Sequence, residues 1–138
     1  MSDTAIPLPP ILDEMKPFWA ALKEHRFTLL RCGGCGAWYW PFAACRTCVN
    51  EPFFANLSFQ TASGRGKVFS YTLPQWTFHP AFPAPFVYAI VELEEGPMMP
   101  TNIVGCAPED VHIGMPVEVT FADLAEGVTL PKFRPRKA

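Results

Sequence analysis

The apolar positions along this chain change period once, early, from helical to alternating. Between Pro17 and Glu24 the residues Phe18, Trp19 and Leu22 share one helical face, Pro17 suits a first turn, and Lys23 and Glu24 lie near the end, so a short surface helix is expected. Its two rings must be covered, either by this chain or by a partner. After it the pattern is that of strands. Phe27 to Arg31 and Trp38 to Trp40 read as a hairpin, followed by Phe53 to Thr61, Lys67 to Leu73, Phe86 to Leu93, Thr101 to Gly105 and Val117 to Phe121, with a short return near Val128 to Leu130. No helical periodicity separates these later strands, so the expectation is a mainly β chain whose larger part is a small closed barrel of the OB type. Phe86 to Val91 is nearly all apolar and reads as a central strand covered on both faces.

Punctuation divides the chain into an arm and helix (1–26), a small ribbon (27–53) and the barrel with a basic tail (54–138). The lead Pro7-Leu8-Pro9-Pro10 cannot continue as regular structure. Ser63-Gly64-Arg65-Gly66 reads as a tight turn with a cation at its tip, a hairpin loop before a phosphate nest. Glu94-Glu95-Gly96-Pro97 reads as a turn with solvated acids. The segment from Trp76 to Pro85, with Phe78, His79 and Phe82 among three prolines and two alanines, is too apolar to lie free in water; it should pack on a partner or form a ligand wall.

Cysteines carry the sharpest chemistry. Cys32 and Cys35 form one CxxC pair, Cys45 and Cys48 another, with nine residues between the pairs. One such pair could be a disulfide or two inert thiols; two pairs this close build a tetrahedral thiolate site. Zn2+ suits four soft thiolates, with a single iron as the alternative. A closed four-sulfur shell leaves no position for water or substrate, so the ion is expected to be structural, replacing a core that so small a segment cannot build.

Charge adds a constraint. Eleven basic and thirteen acidic residues give a net charge of −2, which supplies no global field for nucleic acid. Base stacking on Trp38, Tyr39 and Trp40 remains the competing expectation, opposed by the few cations of the barrel segment. No secretory pattern or membrane span is legible, and reduced cysteines point to the cytoplasm. His79 reads as a hydrogen-bonding loop residue, Cys106 as a small buried thiol, and Asp123 with Glu126 as acids without paired-carboxylate logic. Lys132, Arg134, Arg136 and Lys137 read as a basic tail, either a solvated end or a contact for phosphate or an acidic partner.

Taken in order, Pro17-Phe18-Trp19, Cys32-Gly33-Gly34-Cys35-Gly36, Cys45 and Cys48, Ser63-Gly64-Arg65-Gly66, Leu93-Glu94-Glu95-Gly96, Gly114-Met115-Pro116-Val117 and Leu130-Pro131-Lys132-Phe133 resemble the DUF35 family, from about Pro17 to Pro135. The resemblance implies a helix, a rubredoxin-like zinc ribbon and an OB-fold barrel. It also implies a subunit that is not catalytic alone and pairs with a thiolase-like protein acting on acyl-CoA in thiolytic, condensing or retro-aldol chemistry, including steroid side-chain, aromatic and isoprenoid-precursor metabolism. On that reading a hetero-oligomer, as a heterotetramer, is expected. Phe18, Trp19, Trp76, Phe78, His79 and Phe82 would face the partner, and Arg65, Lys132 and Arg134 would hold phosphates of a coenzyme A ester shared with it. The sequence departs from the family pattern where Pro41 is followed by Phe42-Ala43 and where Arg46 stands in place of a knuckle proline.

Overall fold

The computed structural model describes residues 6–40, 44–48, 56–124 and 127–137. Helix α1, Lys16–Lys23, follows a single 3-10 turn at Asp13–Met15, and Pro17 occupies its first turn, where an amide hydrogen would have no intrahelical acceptor. The chain leaves the helix through His25, whose φ of 59° is left-handed. The His25 ring stacks on Phe121 at 4.9 Å and its Nε2 meets Asp123 at 2.9 Å, tying the helix end to the barrel. Hydrogen bonds from Thr129 and then His25 hold the Asp123 carboxyl below the usual carboxylate range.

The Phe18–Trp19 pair divides between two environments. Phe18 is 2% exposed and packs against Phe27 and Phe59, so it belongs to this chain's own core and is withdrawn from the expected partner-facing set. Trp19 is half-buried, edge-on to Phe18, and keeps part of its ring at the surface.

Two hydrogen-bonded sheets follow. In the first, β1 (Thr28–Cys32) pairs antiparallel with β2 (Trp38–Tyr39) as the expected hairpin. Its third strand is β3 (Leu57–Thr61), which lies along β1 from Thr28 opposite Thr61 to Cys32 opposite Leu57. Expected as the first barrel strand, β3 is thus an edge of the ribbon sheet, and the expected start at Phe53 lies outside the described residues. The reason is a long-range pairing: Leu30 has Tyr39 on one side and Phe59 on the other, so both edges of β1 are used.

The second sheet has the order β6-β5-β4-β7-β8, with β4 Arg65–Thr72, β5 Tyr88–Leu93, β6 Met98–Asn102, β7 Pro116–Asp123 and β8 Thr129–Pro135. It curls until its edges meet. Ile103 forms a parallel bridge with Phe133, the Val104 N–H donates to the Phe133 carbonyl at 2.8 Å, and the Thr101 hydroxyl donates to the Pro131 carbonyl at 3.2 Å. The result is an OB-like barrel, mainly β, capped by one short helix.

Several strand limits differ from the expectation for identifiable reasons. β6 starts at Met98 rather than Thr101 because the Leu93 N–H closes on Pro97 O, and Pro100 is tolerated on an edge strand whose outer side needs no donor. β5 alternates, with Ala89, Val91 and Leu93 buried and Tyr88 46% exposed, so only one face is covered. Arg65 and Gly66 are not a turn tip but the first pairs of β4; a Cβ on Gly66 would lie 2.5 Å from the Glu92 carbonyl oxygen, so the glycine lets β4 and β5 approach. Lys132 and Arg134 belong to β8, so two of the four basic residues read as a tail lie in a strand.

Phe133 is fully buried at the seam, edge-on to Phe27 at 6.2 Å. Phe133→Ala should destabilise the protein by about 3–5 kcal/mol, because the cavity would open where the barrel closes. Urea unfolding followed by tryptophan fluorescence measures this, and a loss below about 1 kcal/mol would contradict the placement of the seam.

Candidate metal centre and its surroundings

The four sulfurs of Cys32, Cys35, Cys45 and Cys48 lie within 4.8 Å of one another. Zinc–sulfur bonds of about 2.3 Å in a tetrahedron put neighbouring sulfurs about 3.8 Å apart. Cys32 to Cys48 is 3.8 Å and Cys35 to Cys45 is 3.5 Å, so the four thiols are placed to hold that ion. Cys32 is the last residue of β1 and fully buried, whereas Cys35 is exposed at the knuckle tip.

Local chemistry shapes each knuckle. In the first, Cys32 N–H donates to Ala37 O and Gly36 N–H to Cys32 O, both at 2.8 Å, a turn that Gly36 completes at φ 80°. A Cβ on Gly34 would come within 3.1 Å of the Cys48 sulfur and 3.6 Å of the Cys32 sulfur, so that glycine leaves room for the cluster. The Gly33 N–H reaches the Asn56 carbonyl at 2.7 Å, joining the knuckle to the start of β3.

In the second knuckle the Cys48 N–H points at the Cys45 sulfur at 3.3 Å, and the Tyr39 hydroxyl donates to the same sulfur at 3.5 Å. These donors, the backbone one first, lower the Cys45 thiol to about 6, while the neighbouring Cys32 thiol pushes Cys48 up to about 12. Arg46 does what the knuckle proline of the family pattern cannot: its N–H donates to Tyr39 Oη at 3.0 Å and its guanidinium lies 5.5 Å from the Tyr39 ring centroid. Tyr39 and Asn56 are the supporting residues that spacing alone did not reveal. Tyr39 lies six positions before Cys45 on a strand that looks merely aromatic, and Asn56 acts through its backbone.

A zinc ion held by these four thiolates would supply a cross-link between two chain segments and no open coordination position. The sequence's alternative of base stacking meets an obstacle in the same place. Tyr39 is buried, and Trp38 already carries Arg31 at 4.7 Å.

The three cations expected to hold coenzyme A phosphates each have a partner within the chain. Arg65 pairs with Glu94 at 3.2 Å and Arg134 with Glu118 at 3.0 Å. Lys132 is half-buried, donates to Asn102 Oδ1 at 2.8 Å, and has its pKa lowered by burial. The phosphate nest, the less favoured reading of this segment, is filled from within, since the Ser63 N–H donates to Glu95 at 2.7 Å and the Arg65 N–H to the Ser63 hydroxyl at 3.1 Å. Glu94 and Glu95 are therefore engaged rather than merely solvated. His79 accepts the Ala81 N–H at 3.0 Å and packs on Phe82, which is half-buried; Phe78 and Trp76 are 84% and 71% exposed. Cys106 is half-buried, and burial raises its thiol pKa. Of the two acids read as unpaired, Asp123 is placed above and Glu126 lies outside the described residues.

Zinc must displace protons from whichever thiols remain protonated, and Cys48, pushed up to about 12, is one of them at neutral pH. The apparent zinc affinity should therefore fall as pH is lowered, by about tenfold per pH unit for each displaced proton. Competition against a chromogenic chelator across pH measures the slope; one equivalent of zinc and a loss of the ribbon's tryptophan signal on chelation are expected. A pH-independent affinity would exclude thiolate ligation.

Comparison with known proteins agrees with this geometry. The rubredoxin-like zinc ribbon domain of ChsH2 matches residues 19–50, and the ChsH2 C-terminal OB-fold domain matches residues 59–122. A DUF35 domain-containing scaffold protein from Methanocaldococcus jannaschii is 40% identical over 116 residues, covering 78% of this chain and 77% of that one. A probable enoyl-CoA hydratase alpha subunit from Thermomonospora curvata is 38% identical over 129 residues, covering 91% of this chain, which spans only 39% of that subunit's length. A solved structure described as the Ltp2-ChsH2(DUF35) aldolase superposes with a TM-score of 0.81 at 36% identity, over 93% of this chain and 98% of the matched one. With the sulfur cluster, the closed barrel and these matches in agreement, the chain belongs to the DUF35 family of zinc-ribbon and OB-fold proteins.

Proposed function

We propose that this chain is a non-catalytic accessory subunit of a thiolase-like acyl-CoA enzyme, one that carries out thiolysis, condensation or retro-aldol cleavage. The observation that carries the reading is surface exposure. Trp76 and Phe78 are 71% and 84% exposed on one loop, and Tyr88, which shares a cleft with Phe78 on the barrel wall, is 46% exposed. Large rings standing together in water are rare on a monomer and mark a surface that another protein covers.

The wall is continuous with the loop. Tyr88 and Phe78 line one cleft together with Phe82 and Asn102, and Tyr88 lines a second with Trp19 and Lys132. A partner seated there would enclose apolar grooves whose one cation, Lys132, is already desolvated, a setting that suits the carbonyl or amide oxygens of an acyl-pantetheine chain better than a free phosphate. Arg65 and Arg134, both half-exposed, remain able to exchange a carboxylate for coenzyme A phosphates. Names borne by the relatives support a subunit role in acyl-CoA chemistry: one is a probable enoyl-CoA hydratase alpha subunit, and one solved neighbour is described as the Ltp2-ChsH2(DUF35) aldolase.

The reaction centre would lie on the partner, a thiolase-like chain that dimerises, so a two-plus-two heterotetramer is the expected assembly. Among the described residues no helix is long and apolar enough to cross a membrane. The reduced thiolate cluster suits the cytoplasm.

Co-expression with the thiolase-like protein of the same cell, affinity purification and mass measurement test the assembly. Trp76→Ala with Phe78→Ala should weaken the complex at least about a hundredfold, since central aromatic anchors cost about 2 kcal/mol or more each when truncated. The same pair should leave the urea midpoint of the isolated chain unchanged. Should the wild-type chain remain a stable monomer that captures no such protein, the proposal fails.

A further inference from the structure

Three motifs singled out in the sequence, Ser63-Gly64-Arg65-Gly66, Leu93-Glu94-Glu95-Gly96 and Gly114-Met115-Pro116-Val117, touch neither the metal centre nor the exposed loop. The fold gathers one glycine from each, Gly66, Gly96 and Gly114, around a single cavity of about 450 Å³ that is completed by Lys67, Glu92 and Arg136. This cavity lies at the Leu93 end of β5, whereas the aromatic wall begins at Tyr88, the other end of the same strand. The two surfaces are independent.

Arg136 is the anomaly. Its Nε is fully enclosed and has no hydrogen-bond partner, and among the described residues no carboxylate lies within ion-pair distance of its guanidinium. Only the Nε is enclosed; Arg136 as a whole is half-buried, so the outer nitrogens of a guanidinium whose inner donor is fixed in place are the ones open to an acceptor in the cavity. Its backbone is pinned, because the Arg136 N–H donates to Pro116 O at 3.0 Å.

The other charges around the cavity are already matched. Glu92 faces Lys67 at 3.7 Å and Glu94 faces Arg65 at 3.2 Å, so neither carboxylate of the lining is paired with Arg136. Backbone donors are used too: Glu94 N–H by Arg65 O, Gly96 N–H by Leu93 O and Gly114 N–H by Val68 O. The guanidinium is the donor left for a ligand. At Gly96 and Gly114 nothing lies within 4 Å of where a Cβ would stand, so the walls leave room for a body larger than the anion itself.

We propose that this cavity binds a small molecule ending in an oxyanion, a carboxylate or a phosphate, seated on Arg136. A planar fork of N–H donors matches such groups in two-point fashion. The proposal does not depend on the partner reading given above.

The test uses the full chain loaded with zinc, titrated separately with sodium acetate and with inorganic phosphate at constant ionic strength, and read by 1H–15N spectra. At least one probe should shift the Arg136 Nε–H and the Gly96 and Gly114 amides saturably, and which probe does so tells carboxylate from phosphate. Arg136→Gln should abolish the saturable shifts, Arg136→Lys should weaken them about tenfold, and Arg26→Gln should leave them unchanged. If Arg136→Gln loses the fold, as its amide pattern will show, Arg136→Lys decides alone. Saturable shifts that survive substitution of Arg136, or shifts that rise linearly and alike at every arginine with both probes, would overturn the proposal.

Discussion

The rest of the structure depends on where β1 ends. Its last residue, Cys32, is a buried member of the sulfur cluster, while Phe27, just before its first residue, packs into the barrel core against Phe18 and Phe133. One five-residue strand thus carries the metal site at one end and the barrel seam at the other. Metal ligation worth on the order of 10 kcal/mol is not confined to the ribbon, because β1 cannot leave its place without exposing Leu29 and Leu30 and breaking its ladders to β2 and β3. The small sheet, which could not bury enough surface to persist alone, is held by sulfur on one side and by shared core on the other.

Much of this was legible in the sequence because it is local. CxxC spacing constrains two thiols to one knuckle whatever the rest of the chain does, and strand alternation reports burial directly, so the cluster, the helix face and the hairpin were readable. What was not legible are pairings made at long range. Nothing in Leu57-Ser58-Phe59-Gln60-Thr61 says that its hydrogen bonds go to β1 rather than to β4. Pro100, Pro131 and Pro135 look like strand breakers, yet each lies in a strand at the seam where the barrel closes. The same holds for Ser63-Gly64-Arg65-Gly66: a turn signature by composition, it begins a strand because Gly66 meets Leu93 and Val117 on its two sides.

The charges follow the same logic. A row of cations in the sequence invites a single phosphate site, but the register separates them. Arg65, Glu118 and Arg134 stand in one row across β4, β7 and β8, with both arginines answered by carboxylates, and Lys132 turns to Asn102 at the seam. Ion pairs this exposed add little stability. Their consequence is selective: they neutralise the obvious candidates and leave Arg136, which composition alone would have assigned to a mobile end, without a carboxylate partner among the described residues.

Exposure of the aromatic loop has an energetic side as well. His79 and Phe82 fix the loop from within, through the Ala81 N–H and a ring contact, and the Thr77 hydroxyl accepts the Ala84 N–H at 2.9 Å. The rings of Trp76 and Phe78 are therefore presented on a loop that its own hydrogen bonds already order, so less conformational entropy is lost when they are covered. Covering them removes apolar surface from water at about 25 cal/mol per Å², and the same coupling stabilises the folded chain by mass action. A surface that adds nothing to the stability of the isolated subunit and much to that of the complex links the persistence of one chain to the presence of the other.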